Sequence, residues 1–556
     1  MNKHNKYFLF FGGIFLGFVM AFTLFQDKNA AITSQMIQHA ATVIGIEFTQ
    51  AERDTMINAL QSTREDLHAI RDLNLNNSIP PALVFNPVPV GKKFNTEKKD
   101  PVWDIPENVE LPENRNELAF YSVAQLSSLI KNKKISSVEL TEFFLARVEQ
   151  FGDTLEAIVS VTKERALEQA RKLDTELAAG NYRGPLHGIP YGAKDLLAVE
   201  GYKTTWGAMP YKDQTINETA TVVQKLDEAG AVLIAKTTLG ALAYGDIWFG
   251  GRTNNPWNLE QGSSGSSAGS ASGTAAGIFP FAIGTETLGS LVSPSTRNGT
   301  TALRPTYGRV SRTGAMALSW TMDKIGPITR TVEDAALVFD AIHGQDNIDQ
   351  TLLDLPFNYD TNLDITSLKI GYLKSAFERD YSGKERDNAV LDVLRELGVE
   401  LIPIELPDYP VGPMRLILTA EGAAAFDQLT LSNQDDLMIW QSPNAWPNTF
   451  RAARFIPAIE YINANRARFE LIQKMDSLMQ KVDVYVSPPF ASGNLLITNL
   501  TSHPAVVLPN GFTENMQPTS ITFIGDLFDE ATVLSVAKAY QKATDHHKMH
   551  PPLFIE

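Results

Sequence analysis

Apolar side chains recur at helical spacing between residues 32 and 75. Ile37, Ala41 and Ile44 fall on one face of a helix in this region. Residues 49–52, TQAE, form a capping box in front of a second set of apolar residues with the same spacing. The pattern predicts two amphipathic helices near the start of the chain.

The rest of the chain alternates between short apolar runs and longer amphipathic segments. Residues 231–240 and 368–374 are short apolar runs typical of buried strands, whereas residues 331–343 and 530–543 have helical spacing. Residues 410–470 lack a clean period, which predicts variable loops and helices around a pocket. No repeat of solenoid period is present. This alternation predicts one α/β domain in which helices cover a mixed sheet.

An apolar run at residues 7–25 follows the basic residues Lys3 and Lys6. The run is longer than the core of most signal peptides and just reaches the length that spans a bilayer. A retained membrane anchor and a cleaved signal peptide both stay open, because the small-residue cleavage site near Ala30 is poor. In either case the rest of the chain is predicted to be exported, either facing the periplasm or exterior or secreted.

The chain is predicted to have three parts. Residues 1–28 form the anchor or signal peptide, residues 29–112 a helical extension with a connector, and residues 113–556 the main domain. The connector, SIPPALVFNPVPVG at residues 78–91, has too many prolines for a helix or a central strand. Its apolar residues indicate that it lies on the main domain instead of moving freely.

Composition then narrows the classes of function. The formal net charge of −16 argues against a nucleic-acid partner, since phosphate binding favours a basic surface. The absence of cysteine excludes disulfides, thiolate metal sites and cysteine nucleophiles together. The histidines are scattered except for His546, His547 and His550, which are typical of a solvated tail. We therefore predict neither a metal site nor a cofactor.

Residues 261–273, QGSSGSSAGSASG, consist almost entirely of glycine, serine and alanine. This composition is typical of a flexible linker. Residues 265–269 also match the G-x-S-x-G pattern of esterases, which would make Ser267 a nucleophile. The preceding residues 254–264 are polar and contain a proline, so they predict no strand leading into a nucleophile turn. The esterase hypothesis is therefore disfavoured.

A serine can also be activated by a lysine that burial keeps neutral. Lys194 lies in a run punctuated by glycine and proline, LHGIPYGAKDLL at residues 186–197, with no other cation nearby. The turn GTETLGS at residues 284–290 can direct several backbone N–H groups towards one oxyanion. A surface lysine and an ordinary tight turn remain the alternatives at this point.

Four ordered blocks of sequence resemble the amidase signature family of serine-dependent amide hydrolases. They are GIPYGAKD (188–195), GSSAGSASGTAAG (265–277), GTETLGS (284–290) and ALRPTYGRVSRTG (302–314). The resemblance extends roughly over residues 115–545. It implies the α/β fold of that family, with a mixed central sheet covered by helices. It also implies a serine–cis-serine–lysine triad that works without a cofactor.

The resemblance carries the family's functional residues onto particular positions of this chain. It implies that Lys194 is the base, Ser266 the bridging serine and Ser290 the nucleophile. The implied oxyanion hole consists of the backbone N–H groups of Thr287, Leu288, Gly289 and Ser290. The implied reaction is hydrolysis of a carboxylic amide through an acyl-enzyme, with a small-molecule or peptide amide as the substrate.

The chain departs from the common family pattern at Glu286, at Leu288 and around Leu291. A GTET-x-GS loop resembles the bacterial peptide-amidase branch of the family, and the natural substrate stays open. One alternative is a glutamine amidase like the glutamine-hydrolysing component of the tRNA-dependent amidotransferase, which the predicted export opposes. Another is a non-catalytic peptide-binding relative, which the intact triad opposes. The oligomeric state is not predicted.

Overall fold

The computed structural model describes residues 31–555 of the chain. The predicted membrane or signal segment, residues 7–25, lies outside this range. Between residues 31 and 555, no helix combines the length and the apolar character needed to cross a bilayer. The chain divides into two compact units, of which the second covers Asn77–Glu556. The predicted domain boundaries at residues 28 and 112 stay predictions.

The described part of the first unit contains the helices α1 (Ser34–Val43) and α2 (Gln50–Arg71). At the start of α2 the Thr49 hydroxyl accepts a hydrogen bond from the Glu52 N–H at 3.3 Å. In return, the Glu52 carboxylate accepts one from the Thr49 N–H at 2.7 Å. The predicted pair of helices and the capping box are therefore confirmed, and the box satisfies two backbone donors at the start of α2.

The second unit is built around a mixed sheet, which has 11 strands in the part of the chain that the structure describes. The strands are β1 (Ile158–Val161), β2 (Pro190–Lys194), β3 (Val232–Thr237), β8 (Phe281–Glu286), β9 (Thr301–Arg304), β10 (Lys324–Thr329), β11 (Ile370–Leu373), β12 (Leu401–Ile404), β13 (Val484–Ser487), β14 (Ala505–Phe512) and β15 (Pro518–Gly525). Two small ribbons pair β4 (Ile247–Trp248) with β5 (Gly251–Arg252) and β6 (Asn254–Asn255) with β7 (Asn258–Gly262).

The strand order in the sheet is β1-β3-β2-β8-β10-β9-β14-β15-β13-β11-β12. Strand β2 runs parallel to β3 and β8, and β11 runs parallel to β12 and β13, while the other neighbours are antiparallel. Every residue of β2, β3, β8, β9 and β10 is buried, so both faces of this part of the sheet are covered.

Helices pack around this sheet. They are α3 (Val123–Lys131), α4 (Ser137–Leu155), α5 (Lys163–Ala178), α6 (Thr221–Ala229), α7 (Ala268–Ala275), α8 (Val292–Asn298), α9 (Val332–Ile342), α10 (Lys374–Glu378), α11 (Lys384–Glu396), α12 (Arg415–Ala425), α13 (Asp427–Leu431), α14 (Trp446–Ala453), α15 (Ala458–Met479), α16 (Asn494–Thr501) and α17 (Glu530–Lys542). The predicted α/β class with a mixed sheet is confirmed.

The small-residue segment contributes a buried helix to this core. All eight residues of α7 are buried. A Cβ atom added to Gly269 would lie 2.2 Å from the carbonyl oxygen of Ala157, and one added to Gly273 would lie 2.4 Å from the Phe279 ring. Side chains larger than those present would overlap with these neighbours. The interpretation of this segment as a flexible linker is therefore wrong.

Candidate active site

Lys194 is the last residue of β2, a strand in the interior of the sheet, and its side chain is fully buried. Its Nζ lies 2.7 Å from the Oγ of Ser266, 2.8 Å from the Oγ1 of Thr285 and 3.1 Å from the Oγ of Ser267. It also donates to the carbonyl oxygen of Thr285 at 3.4 Å. The lysine is therefore surrounded by hydroxyl groups, and the surface-lysine alternative is wrong.

The surroundings of Lys194 favour the neutral amine. Burial lowers its pKa well below the usual value, and the negative charges of Asp323 and Glu286 oppose this shift without reversing it. The neighbouring carboxylate of Asp195 is already paired, at 2.7 Å, with the buried amine of Lys236. Among residues 31–555, Lys194 forms no ion pair. A neutral Lys194 amine can accept a proton from a hydroxyl group.

Ser266 follows a cis peptide bond, Gly265–Ser266, as the family resemblance implied. The backbone approaches very closely here, since a Cβ on Gly265 would lie 1.8 Å from the carbonyl oxygen of Gly245. Just before it, the Ser264 N–H donates to the Asp246 carboxylate at 2.9 Å. These contacts require glycine at position 265, and they hold the turn that presents Ser266 to Lys194.

Ser290 lies in the loop between β8 and α8 and is 7% exposed. Its carbonyl oxygen accepts a hydrogen bond from the Ser267 N–H at 3.3 Å, which holds the Ser266 segment beside it. Gly289 has a φ of +89°, a conformation that favours glycine. Within residues 31–555, no hydrogen bond uses the backbone N–H of Leu288, Gly289 or Ser290. These three donors are available to a ligand.

Glu286 fixes the chain on the other side of Ser290. Its Oε2 accepts hydrogen bonds from the backbone N–H groups of Leu291 and Val292, at 2.8 and 3.0 Å, where α8 begins. Its Oε1 is 3.0 Å from the Arg304 guanidinium and accepts from the Asn499 amide at 2.8 Å. Burial would raise the pKa of Glu286, but Arg304 and the Val292 N–H outweigh burial and hold it at about 2. The carboxylate is therefore charged.

Asp323 connects the loop before Ser290 to the segment that precedes β10. Its Oδ1 accepts a hydrogen bond from the Thr287 hydroxyl at 2.5 Å. Its Oδ2 accepts from the backbone N–H groups of Leu318 and Ser319, at 2.8 and 2.9 Å. Both carboxylate oxygens are thus used within the protein, and they position Thr287 from outside the loop.

Ser267, the serine of the esterase-like pattern, is buried against β8. Its hydroxyl donates to the Thr285 carbonyl oxygen and accepts from the Thr285 N–H, both at 3.1 Å. The strand before it, β7, belongs to a small ribbon and not to the central sheet. Ser267 therefore holds Thr285 in place, and it lacks the strand–turn–helix setting of an esterase nucleophile.

A cavity of about 360 Å³ opens next to these residues. Thr285 and Thr287 line it, together with Asp323, Lys324 and a largely apolar wall. Thr285 connects the cavity to Lys194, and Thr287 connects it to the loop of Ser290. In the described residues, no three histidine, aspartate or glutamate side chains lie together as a metal site would require.

Three positions in this site were not assigned a role from the sequence. Thr285 and Glu286 belong to the GTETLGS block, where they stood only as part of a turn and as a departure from the family pattern. Asp323 opens the later run DKIGPITR. A buried strand that ends in two polar residues is a signal that could have identified Thr285 and Glu286, because buried polar groups need partners.

A family model described as amidase matches residues 139–497. The A-type component of the glutamyl-tRNA(Gln) amidotransferase of Geobacillus kaustophilus is 32% identical over 487 residues, which are 78% of this chain and 99% of that protein. The corresponding protein of Carboxydothermus hydrogenoformans is 33% identical over 485 residues, which are 79% of this chain and 100% of that protein.

Solved structures give the same assignment. The peptide amidase from Stenotrophomonas maltophilia superposes with a TM-score of 0.69 and 28% identity, covering 77% of this chain and 97% of that enzyme. The chain therefore belongs to the amidase signature family. It is a hydrolase that acts on amide C–N bonds. About a fifth of this chain lies outside each of these matches.

Proposed function

We propose that the protein hydrolyses a carboxylic amide through an acyl-enzyme in which Ser290 is the nucleophile, Ser266 the bridging residue and Lys194 the base. The observation that carries the proposal is the fully buried Lys194 amine, 2.7 Å from the Ser266 hydroxyl and with a pKa lowered well below the usual range. A neutral amine next to a hydroxyl can start proton transfer without histidine.

The reaction begins when Lys194 takes the proton of the Ser266 hydroxyl and Ser266 takes the proton of Ser290. The Ser290 oxygen then bonds to the carbonyl carbon of the amide, and the carbonyl oxygen becomes an oxyanion. As the C–N bond breaks, the proton returns from Lys194 through Ser266 to the leaving nitrogen. Water then attacks the acyl ester by the same proton route and regenerates Ser290.

The loop from Thr287 to Ser290 is the proposed oxyanion hole. The N–H groups of Leu288, Gly289 and Ser290 have no partner within residues 31–555, so they can donate to the oxyanion as its charge develops. Glu286 fixes the backbone after Ser290, and Asp323 fixes Thr287 before it. Such preorganisation avoids a cost of reorientation during the reaction.

Two substitutions test the triad. Ser290→Ala and Lys194→Met are each expected to abolish turnover of simple amides while the circular dichroism spectrum stays unchanged. Ser477→Ala is the control, because the Ser477 hydroxyl lies on the exposed side of α15 and bonds only the Gln473 carbonyl. Wild-type rates in Ser290→Ala or Lys194→Met would overturn the proposed mechanism.

Glutamine hydrolysis is a second candidate activity, since the relatives with 32% and 33% identity are components of glutamyl-tRNA(Gln) amidotransferases. The likeness to the peptide amidase supports peptide amides instead. A screen with peptide amides, aryl amides, acyl amides and free glutamine separates the two. Release of ammonia from glutamine at the highest kcat/KM would favour the amidotransferase-like activity.

We also propose that the enzyme is exported, either anchored in the membrane or secreted. The apolar run at residues 7–25 and the basic residues before it support this proposal. Membrane fractionation together with N-terminal sequencing of the native protein tests it. A full-length protein in the membrane fraction indicates an anchor, and a shortened soluble protein outside the cytoplasm indicates a cleaved signal. A full-length protein in the cytoplasm would contradict export.

A further inference from the structure

The proline-rich connector forms one wall of the cavity beside the active site. Its residues Pro80, Pro81, Leu83 and Val84 line the cavity, and Thr285 and Thr287 line it from the active-site loop. These connector residues precede the family match, which begins at residue 139. The extension of this chain therefore supplies part of the cavity next to the family's active site.

Asn77 holds the first end of this wall in place. Its side-chain amide donates to the carbonyl oxygens of Ala317 and Ala425, at 2.9 and 3.2 Å. Its side-chain oxygen accepts from the Ala317 N–H at 2.9 Å. Ala317 itself lines the cavity. The entry of the connector is thus bonded to the rim of the cavity.

The second end is held more firmly. The Arg468 guanidinium lies 3.5 Å from the centre of the Phe85 ring, and the Tyr307 ring packs against Phe85 at 5.2 Å. A little further on, the Lys92 amine forms ion pairs with Asp476 at 2.9 Å and with Asp526 at 2.7 Å. The sequence-based prediction that the connector lies on the main domain is confirmed.

Between these two ends, the connector offers apolar side chains with little to cover them. Leu83 is 82% exposed and Val84 is 49% exposed, although both line the cavity. Among the described residues, none makes a backbone hydrogen bond with residues 79–84. An apolar group bound in the cavity would cover Leu83 and Val84 and remove their surface from water.

The charged side chains of the cavity are mostly occupied. Arg312 pairs with Asp349 at 3.2 Å, and both oxygens of Asp323 accept hydrogen bonds. The buried Lys324 amine donates to the Met322 carbonyl oxygen. A charged substrate group would find these partners already used, whereas an apolar group would find an unoccupied wall. The chemistry of the cavity therefore favours an apolar substrate.

We propose that Leu83 and Val84 are specificity-determining residues, which contact the substrate and select amides that carry a large apolar group. The proposal rests on the proposed amidase mechanism. Specificity then depends partly on a segment that the family match does not include. The enzyme would hydrolyse amides with long aliphatic or aromatic substituents in preference to small or charged amides.

The test compares Leu83→Ser with Val90→Ser, a matched control in the same connector. Val90 is 75% exposed and is not among the residues that line the cavity. With 4-phenylbutanamide as the substrate, Leu83→Ser is expected to lower kcat/KM about tenfold, mainly through KM, because it removes apolar contact area. Val90→Ser is expected to keep the wild-type value. A short-chain fluorophosphonate should label Ser290 equally fast in both variants.

A second measurement uses the absence of cysteine from the chain. Leu83→Cys and Val90→Cys each introduce a single thiol, whose alkylation by a maleimide is followed before and after Ser290 has reacted with a long-chain alkyl fluorophosphonate. We expect the alkyl chain to slow alkylation at position 83 and not at position 90.

The outcomes separate the two proposals. Equal kcat/KM for Leu83→Ser and Val90→Ser, or equal alkylation before and after the probe, would overturn the role of the connector while leaving the triad intact. If wild-type protein neither hydrolyses an amide nor reacts with the short-chain probe, the proposed mechanism fails and the role of the connector fails with it.

Discussion

Two segments of this chain have the composition of linkers, and the structure uses them in opposite ways. Residues 265–277, rich in glycine, serine and alanine, form a tight turn and the fully buried helix α7. Residues 78–91, rich in proline, form an exposed wall that is held at its two ends. Biased composition therefore indicates how closely a backbone can pack, and it does not by itself indicate mobility.

The difference follows from what each residue type allows. Glycine and alanine permit the backbone of α7 to approach its neighbours, as the 2.2 Å separation calculated for a Gly269 Cβ demonstrates. Proline has no N–H to satisfy, so an extended proline-rich segment can cross a surface without hydrogen-bond partners. One segment is therefore sensitive to added volume, and the other tolerates it.

The largest expected effect separates the two segments by activity. Ser266→Ala should lower kcat by about 10⁴-fold, because it interrupts proton transfer between Ser290 and Lys194. Val90→Ala in the connector should leave kcat within error of the wild type. Steady-state kinetics with an amide substrate measures both variants. A loss of less than tenfold in Ser266→Ala would contradict the role of Ser266.

The next effect concerns the ion pairs that hold each region. Glu286→Gln should lower the free energy of unfolding by about 3 kcal/mol, since it leaves the buried Arg304 without its charge partner. Asp526→Asn, which weakens the partly exposed pair with Lys92, should cost about 1 kcal/mol or less. Urea denaturation measures both. Equal losses would mean that the two anchors do not differ as described.

Added volume should distinguish the segments directly. Gly269→Ala is expected to cost about 2 kcal/mol of unfolding free energy, because the new Cβ would overlap with the Ala157 carbonyl and the Thr238 side chain. Ala82→Val, which adds methyl groups at an exposed connector position, should change stability by less than about 0.5 kcal/mol. A Gly269→Ala protein as stable as the wild type would contradict the close packing of α7.

The smallest effect is a dependence on pH that comes from Lys194. The folded protein holds this amine at a pKa well below 10.5, so between the two values the unfolded chain binds one more proton than the folded chain. Stability therefore rises with pH in this window, by at most about 1.4 kcal/mol per pH unit. Lys194→Met lacks this contribution.

Urea denaturation of wild type and Lys194→Met, from pH 7 to pH 9, measures the difference. Contributions from other titrating groups, such as Glu286, are present in both proteins and cancel to first order. The wild type should gain stability relative to Lys194→Met as the pH rises. A constant difference would show that the Lys194 amine is charged in the folded protein at pH 7.

Several elements of the fold could be predicted from the sequence. The apolar run 231–240 contains β3, and the pattern at 530–543 contains α17. The expected lack of regular structure in residues 410–470 was only partly right, because α15 begins there and continues for 22 residues. Its first turns carry exposed apolar residues such as Ile459 and Ile462, which obscure the helical period.

Other features depend on contacts between distant parts of the chain. The partners of Glu286 include Arg304 and Asn499, and the partner of Thr287 is Asp323. Neither spacing nor composition identifies such pairs. The course of the connector along the cavity depends in the same way on Arg468, which lies far away in the sequence. The catalytic roles of Lys194, Ser266 and Ser290 stay proposals until activity is measured.

The central claim is that Lys194 activates Ser290 through Ser266. The most direct measurement is the rate and position of labelling by a short-chain fluorophosphonate, determined by peptide mass spectrometry for wild type and Lys194→Met. The account predicts an adduct on Ser290 in the wild type and a large loss of its rate in Lys194→Met. An adduct on Ser267, or equal labelling of Ser290 in the two proteins, would contradict it.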